Sequence, residues 1–368
     1  LSAGVVGALL SVALDWPDAA TSAARTWPPF VLVAGLLLLG AVANEDGVFS
    51  AAGDLLDRLP GGEVALYFAA MGFVALVSVV LNLDTAAAFL TPVVLYVAEK
   101  RQAGQARLLY GCLFMANSAS LLLPGSNLTN LLVLADRRIR APAFLGRMLA
   151  PWLAAVVVTS IVVFLIFRHS PGPASGATGP ARAVRRSQPP LLTLVAIGLA
   201  AAAILVVPDA ALPVAALGLA LAAVRAAQRR VTPRRVAASV DGAVIGGLFL
   251  VAMALGTLAR AWSYPATVMR SAGAVEAAVV GAVASVAINN LPAAVLLGSR
   301  APAHPIPLLF GLDIGPNLVL SGSLSALVWW RAAKTIGVTP SPRRYSAAGA
   351  VLVPLTLAAA LGAYALFR

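Results

Sequence analysis

The chain has 368 residues, 60% of them hydrophobic and only 11% charged, with a formal net charge of +12. Soluble domains carry about 25% charged and about 45–50% apolar residues, so this chain cannot hide its apolar surface in one water-exposed fold. One cysteine, Cys112, excludes a disulfide framework and a multi-thiolate metal site, and two histidines exclude HExxH-type zinc chemistry.

The apolar runs are helix-length rather than alternating segments of about ten residues, which points to an all-α polytopic membrane protein and not a barrel. Taken in order, membrane segments are expected at 1–14, 28–44, 64–81, 85–98, 107–123 with 127–135, 145–167, 191–207, 213–224, 240–259, 271–288, 292–299, 305–320 with 324–330, and 346–367. Several are shorter than the roughly 20 residues that a helix needs to cross the hydrocarbon. Short apolar stretches broken by Asn, Pro or Gly predict re-entrant hairpins and discontinuous helices.

The stretch 168–190, rich in Pro, Gly, Ser and Arg, reads as a linker between two apolar halves, 1–167 and 191–368. The halves repeat. Asn82-Leu-Asp-Thr-Ala-Ala matches Asn289-Asn-Leu-Pro-Ala-Ala, and the stretch from Asn117 matches the stretch from Asp313 without a gap. In that register Asn127 pairs with Ser323 and Thr129 with Ser325. The second half has one more span before its hairpin than the first, so about one N-terminal helix is expected to be missing. With 45–63, 99–107, 168–190, 225–235 and 331–345 assigned to the inside, 17 of the 26 Lys and Arg residues lie there, which supports an inverted topology. Arg137, Arg138, Arg140 and Arg147 resist that assignment. The basic excess therefore reads as cytoplasmic loops and not as a nucleic-acid surface, and the Arg-rich, Ala-rich composition suggests a bacterial inner-membrane protein.

Two acids lie nearest the interruptions, Asp84 and Asp313. A carboxylate at membrane depth is costly, so it reads as a proton relay or cation site, against the blander role of capping a broken helix. Asn82, Asn289 and Asn290 stand where the hairpins turn, with Thr85 one turn on. Asn117, Ser118, Ser120, Ser126, Asn127, Thr129 and Asn130 surround Pro124-Gly125. Asn317, Ser321, Ser323 and Ser325 surround Gly315-Pro316 and Gly322. Paired polar breaks in two halves of a transporter point to its binding site, although isolated Ser and Thr in membrane helices mostly bond between helices. Cys112 reads as a packed small residue. Trp329 and Trp330 read as an interfacial anchor. Glu45, Asp46, Asp54, Asp57, Arg58 and Glu63 read as a solvated loop or surface helix. No Arg or Lys falls in the polar clusters, which favours a neutral polar solute, a cation, or an anion accompanied by cations. A hydrolase built on Ser323 and His304, and a passive channel, are the readings of other classes.

At these residues the sequence resembles the ion transporter superfamily, and within it the arsenite/antimonite efflux permeases. The stretches that carry the likeness are 81–95, 117–133, 287–298 and 311–330. The resemblance implies two inverted repeats, each with a re-entrant hairpin and an unwound helix, which form a transport domain that moves against a scaffold as an elevator, often in a dimer. It implies proton-coupled export of arsenite or antimonite, with Asp84 as the main proton carrier and Asn82, Asp84, Ser126, Asn127, Asn289, Asn290, Asp313 and Ser323 lining the site. No cofactor is implied, and a partner ATPase is left open. Sodium/dicarboxylate relatives carry Ser-Asn-Thr at both tips, where this chain has Leu81-Asn82-Leu83 and Ile288-Asn289-Asn290. A sodium- or proton-coupled carboxylate or anion permease, or a sodium/proton antiporter, is the alternative.

Overall fold

A computed structural model describes residues 2–135, 141–169 and 191–367, which form helices and no strands. Most of the 168–190 stretch, together with Arg137, Arg138 and Arg140, lies outside the described residues. In the first half α1 (Ser2–Leu14) leads into α2 (Trp16–Glu45), which runs unbroken through Pro28 and Pro29, and then α3 (Val48–Arg58). α4 (Glu63–Val80) turns at 81–82 into α5 (Leu83–Thr85), a π-helical stretch (Ala86–Leu90) and α6 (Thr91–Lys100). Pro92 cannot donate to the turn before it, and the helix widens there. α7 (Gln105–Ala119) is separated from α8 (Leu128–Leu134) by an unwound segment, and α9 (Ala141–Ile166) follows.

The second half runs through α10 (Leu191–Val206), α11 (Ala211–Ala227), α12 (Pro233–Val240), α13 (Gly242–Ala261) and α14 (Tyr264–Ser271). α15 (Ala274–Ile288) turns at Asn289 into α16 (Asn290–Leu297). α17 (Pro305–Ile314) unwinds through two 3-10 turns before α18 (Leu324–Thr335), and α19 (Pro342–Leu366) ends the described chain. Among the described residues, five stretches are long and apolar enough to cross a membrane: Trp16–Glu45, Glu63–Val80, Ala141–Ile166, Pro233–Ala261 and Pro342–Leu366. On α9 the residues Leu149, Leu153, Val157, Ile161 and Leu165 are exposed at a spacing of four, an apolar stripe suited to lipid.

Helices α1, α2, α11, α12 and α13 pack into one body, α2 against α11 and α13 against α1. In the other body α4 packs on α7 and α15 on α17, while α9 lies along α19. The two halves also interlock. α18 packs against the helix that follows the first hairpin tip, and α16 packs against α8. Small residues allow the tightest of these contacts. A Cβ at Gly311 would stand 2.0 Å from the Ala278 carbonyl oxygen and 2.6 Å from Ala282 N. These are backbone atoms on α15 that cannot swing aside, so Gly311→Ala is expected to cost about 3 kcal/mol. A lower thermal midpoint of the purified variant would show it; an unchanged midpoint would mean that α15 and α17 do not pack this closely.

Among the described residues, parts of the basic segments come into contact with one another. Glu63 pairs with Arg107 at 3.2 Å, Arg107 donates to the Arg168 carbonyl, and Glu45 lies 3.7 Å from Arg235. The Tyr110 hydroxyl meets Ser341 there too. Two sequence expectations are corrected. Asp46 is not solvated: its side chain is 2% exposed and forms an ion pair with Arg225 at 2.9 Å. Thr193 donates to Asp46 and Arg225 donates to Gln228. Trp329 is no interfacial anchor. It is fully buried among Tyr110 and Tyr345, and its indole N–H donates to the Leu109 carbonyl.

The Asp46–Arg225 pair makes a prediction. Arg225→Met strands a buried carboxylate and is expected to cost about 3–5 kcal/mol, whereas adding Asp46→Asn recovers much of the loss. Thermal unfolding of the single and double variants checks it.

Candidate functional site

Four helices that begin inside the protein start on the polar residues named from sequence. Asn82 accepts from Thr85 N at 2.7 Å, Asn127 from Thr129 N at 3.3 Å, Asn289 from Leu291 N at 3.3 Å and Ser323 from Ala326 N at 3.3 Å. Each is an N-cap, the role that Asn and Ser fill best. Asn127 (φ −146, ψ 141) and Ser323 (φ −142, ψ 152), paired by the sequence register, have nearly the same backbone conformation. Asn289 sits at φ 77, a left-handed conformation that favours glycine, and its amide donates to the Ser321 carbonyl at 2.9 Å.

The two carboxylates are held across the halves. Asp84 accepts from Ser325 at 2.5 Å. Asp313 accepts from Thr129 at 2.5 Å and from Asn127 Nδ2 at 3.0 Å, all on Oδ1. Thr129 and Ser325 are register partners, so each half lends the equivalent hydroxyl to the other half's acid. Asn117 Nδ2 donates to Asn317 Oδ1 at 2.7 Å and ties the two interrupted helices together.

Unwinding frees backbone carbonyls, which must find donors at membrane depth. Asn130 donates to the Ser120 and Leu123 carbonyls, and Ser126 donates to Val79 O. Two donors were invisible to sequence reasoning: Trp152 on α9 donates to Ala119 O at 3.0 Å, and Tyr345 on α19 donates to Pro316 O at 3.1 Å. No local pattern marks them, because each reaches its break from another helix. Not every expected residue joins the cluster. Ser118 bonds Thr159 on α9, Asn289 is partly exposed at its tip, and the Thr85 side chain faces α2, where a Cβ at Gly40 would stand 2.5 Å from its Cγ2. Asn290 is buried at the start of α16. Cys112 is buried and meets Thr91 at 3.7 Å, as a packed small residue should.

Several buried polar atoms of the site have no hydrogen-bond partner. They are the acceptors Asp313 Oδ2, Asn117 Oδ1 and Asn130 Oδ1 and the donor Asn82 Nδ2. Leaving such groups unmatched costs about 1–3 kcal/mol each, so a site that concentrates them is built for something else to complete it. Apart from those of Trp152 and Tyr345, the hydrogen bonds described within the two clusters join Asn, Ser, Thr and Asp side chains and the backbone.

Comparison with known proteins bears on the cargo and the fold. No curated protein sequence matches the chain. The crystal structure of the Alcanivorax borkumensis YdaH transporter, described as having an unusual topology, is similar in fold: TM-score 0.52 at 16% identity, over 96% of this chain and 87% of that one. Residues 2–319 match the CitMHS family, described as citrate transporter. That match backs the carboxylate or anion alternative better than metalloid export, and it sets aside the hydrolase reading built on Ser323 and His304. The chain is a secondary transporter, not an enzyme, and it belongs to the CitMHS citrate transporter family.

Proposed function

We propose that the chain carries a small carboxylate, citrate or a related anion, across the membrane together with a coupling cation, a proton or sodium. The observation that carries this reading is the set of unmatched buried atoms at the crossing of the two breaks. Three are oxygen acceptors, one of them on Asp313, and a fully buried carboxylate with one bare oxygen calls for a proton or a metal cation there. The unmatched Asn82 amide and the inward N-termini of the helix after the first tip and of α18 are donors, suited to an anion's oxygens. The absence of Arg and Lys from the described cluster then has a reason: the coupling cation, not a fixed charge, neutralises the cargo.

Two inverted repeats account for the shared caps, the matched extended residues Asn127 and Ser323, and the reciprocal hydroxyl–carboxylate bonds. The interrupted helices and hairpins would move as one body against the α1–α2–α11–α13 body, the first tip passing α2 at Gly40. The expected membrane is the bacterial inner membrane.

The test is uptake of labelled citrate into proteoliposomes with an imposed proton or sodium gradient, with arsenite as the comparison cargo. Citrate uptake that collapses with the gradient supports the reading. Arsenite movement with no response to any di- or tricarboxylate would overturn it and restore metalloid export.

A further inference from the structure

Helix α11 ends in a turn whose cations outnumber the acids within reach. Arg229 and Arg230 lie in the turn, Arg234 and Arg235 in the first turn of α12, and all four are exposed. Arg235 lies 3.7 Å from Glu45. The guanidinium groups of Arg229, Arg230 and Arg234 make no hydrogen bond or ion pair with the described residues. α12 packs against α2, α11 and α13. The acids at this end of those helices are Glu45, Asp46 and Asp241, and each is engaged: Asp46 pairs with buried Arg225, and Asp241 accepts from the Val244 N–H. The 170–190 stretch adds arginines and no acid, and of the 14 acids in the sequence only Asp136 lies outside the described residues. The chain that leads to Asp136 leaves from the far end of α2. There Val133 lies against Gly298, whose carbonyl accepts from Arg25. Arg25 stands twenty residues before Glu45 on α2, about 30 Å along the helix.

The backbone of the turn adds a second observation. α11 closes with the Arg229 N–H on Ala226 O and the Arg230 N–H on Arg225 O, the two bonds of a Schellman ending. Such an ending puts one residue in the left-handed region, and that residue is usually glycine. Here it is Arg229, at φ 53. Backbone ease is given up and a cation is gained. Val231 and Val236 are 5% and 3% exposed, so they fasten the turn and α12 to the protein and leave the arginines outside. The turn also stands at the edge of the hydrocarbon. α11 is apolar from Ala211 to Val224, and the Pro233–Ala261 span starts directly after the turn. Arginines so close to the ends of apolar helices reach the headgroup layer.

We infer that the α11–α12 turn is a docking surface for anionic phospholipid, whose phosphates pair with Arg229, Arg230 and Arg234. The partner is lipid rather than a soluble anion because the cations are spread over an open surface. A lone phosphate there is screened by salt, whereas a layer of headgroups offers several phosphates at once. Lipid held at the turn fastens the α1–α2–α11–α13 body in the bilayer, the body against which the hairpins move in the reading above. The inference itself holds whichever solute is carried.

The test uses the full chain in nanodiscs of phosphatidylcholine alone and of three parts phosphatidylcholine to one part phosphatidylglycerol. The thermal midpoint is expected to be several degrees higher with phosphatidylglycerol, and the gain should shrink as salt is raised. The triple variant Arg229→Gln, Arg230→Gln, Arg234→Gln should keep the wild-type midpoint in phosphatidylcholine and lose most of the gain. Arg229→Gly is the second variant. It removes one cation and relieves the backbone, so its midpoint in phosphatidylcholine should be equal or higher while its gain is smaller. A turn with a structural role alone would not separate the two readouts. Arg343→Gln with Arg344→Gln, exposed on α19, should keep most of the gain. Four results overturn the inference: no gain in the wild type, a full gain in the triple variant, an equal loss in the α19 variant, or a gain reproduced by inorganic phosphate in phosphatidylcholine discs.

Discussion

Replacing Asp313 with Asn should abolish gradient-driven transport while the protein stays folded. Asp313 is fully buried, its Oδ1 takes both donors, and its Oδ2 takes none. The amide is nearly isosteric and can still accept from Thr129 and Asn127 on one oxygen. It cannot carry a proton, and it cannot neutralise a metal cation. The expected loss is at least about 100-fold in the driven rate, equivalent to about 3 kcal/mol. Proteoliposome uptake with and without the gradient checks the loss, and size-exclusion profile and thermal midpoint check the fold. Driven uptake within a few-fold of wild type would remove Asp313 from the coupling step. The parallel change at Asp84 asks a different question. Asp84 is only half-buried and has its own hydroxyl partner in Ser325. If the sequence-based choice of Asp84 as main carrier is right, Asp84→Asn is the more damaging variant; the burial pattern orders them the other way.

The second large effect is expected at the first hairpin tip. Asn82 does two things with one amide: Oδ1 caps the helix through Thr85 N, and Nδ2 is buried without an acceptor. Asn82→Asp separates the two. Asp caps as well as Asn does, so the stability should move by less than about 1 kcal/mol. The donor, however, becomes an acceptor with a negative charge, and like charges brought together cost several kcal/mol. The half-saturation concentration for citrate should rise about 100-fold. Asn82→Ser, which keeps a cap and brings no charge, should fall between. Equal affinity in all three chains would show that the amide is a cap and nothing more.

The residues carry a great deal of this in plain sight. Membrane spans follow from apolar length. The end where the basic loops meet follows from the positions of Lys and Arg. The polar breaks follow from Asn, Ser, Pro and Gly inside otherwise apolar runs. The register between the halves even anticipates Thr129 and Ser325 as partners, and each proves to hold the opposite half's acid. The cargo class was harder to read. The motifs resemble metalloid exporters, and the absence of Arg and Lys from the clusters suits a neutral solute as well as it suits a cation-neutralised anion.

What the sequence determined by itself is therefore local and periodic: where helices run, where they break, and which residue caps each break. These depend on neighbours within a turn or two, where hydropathy and hydrogen-bond competition act directly. What only the tertiary structure decided is long-range. Asp46 reads as loop because its partner Arg225 is far along the chain, and burial is set by α10 and α11 folding over it. Trp329 reads as an anchor because a Trp pair before an Arg usually faces the interface; here packing against Tyr110 and Tyr345 wins. Trp152 and Tyr345 reach carbonyls on other helices. A hydrogen bond or an ion pair acts over a few ångströms of space, and the spacing of residues along a chain does not say which helices will be brought that close.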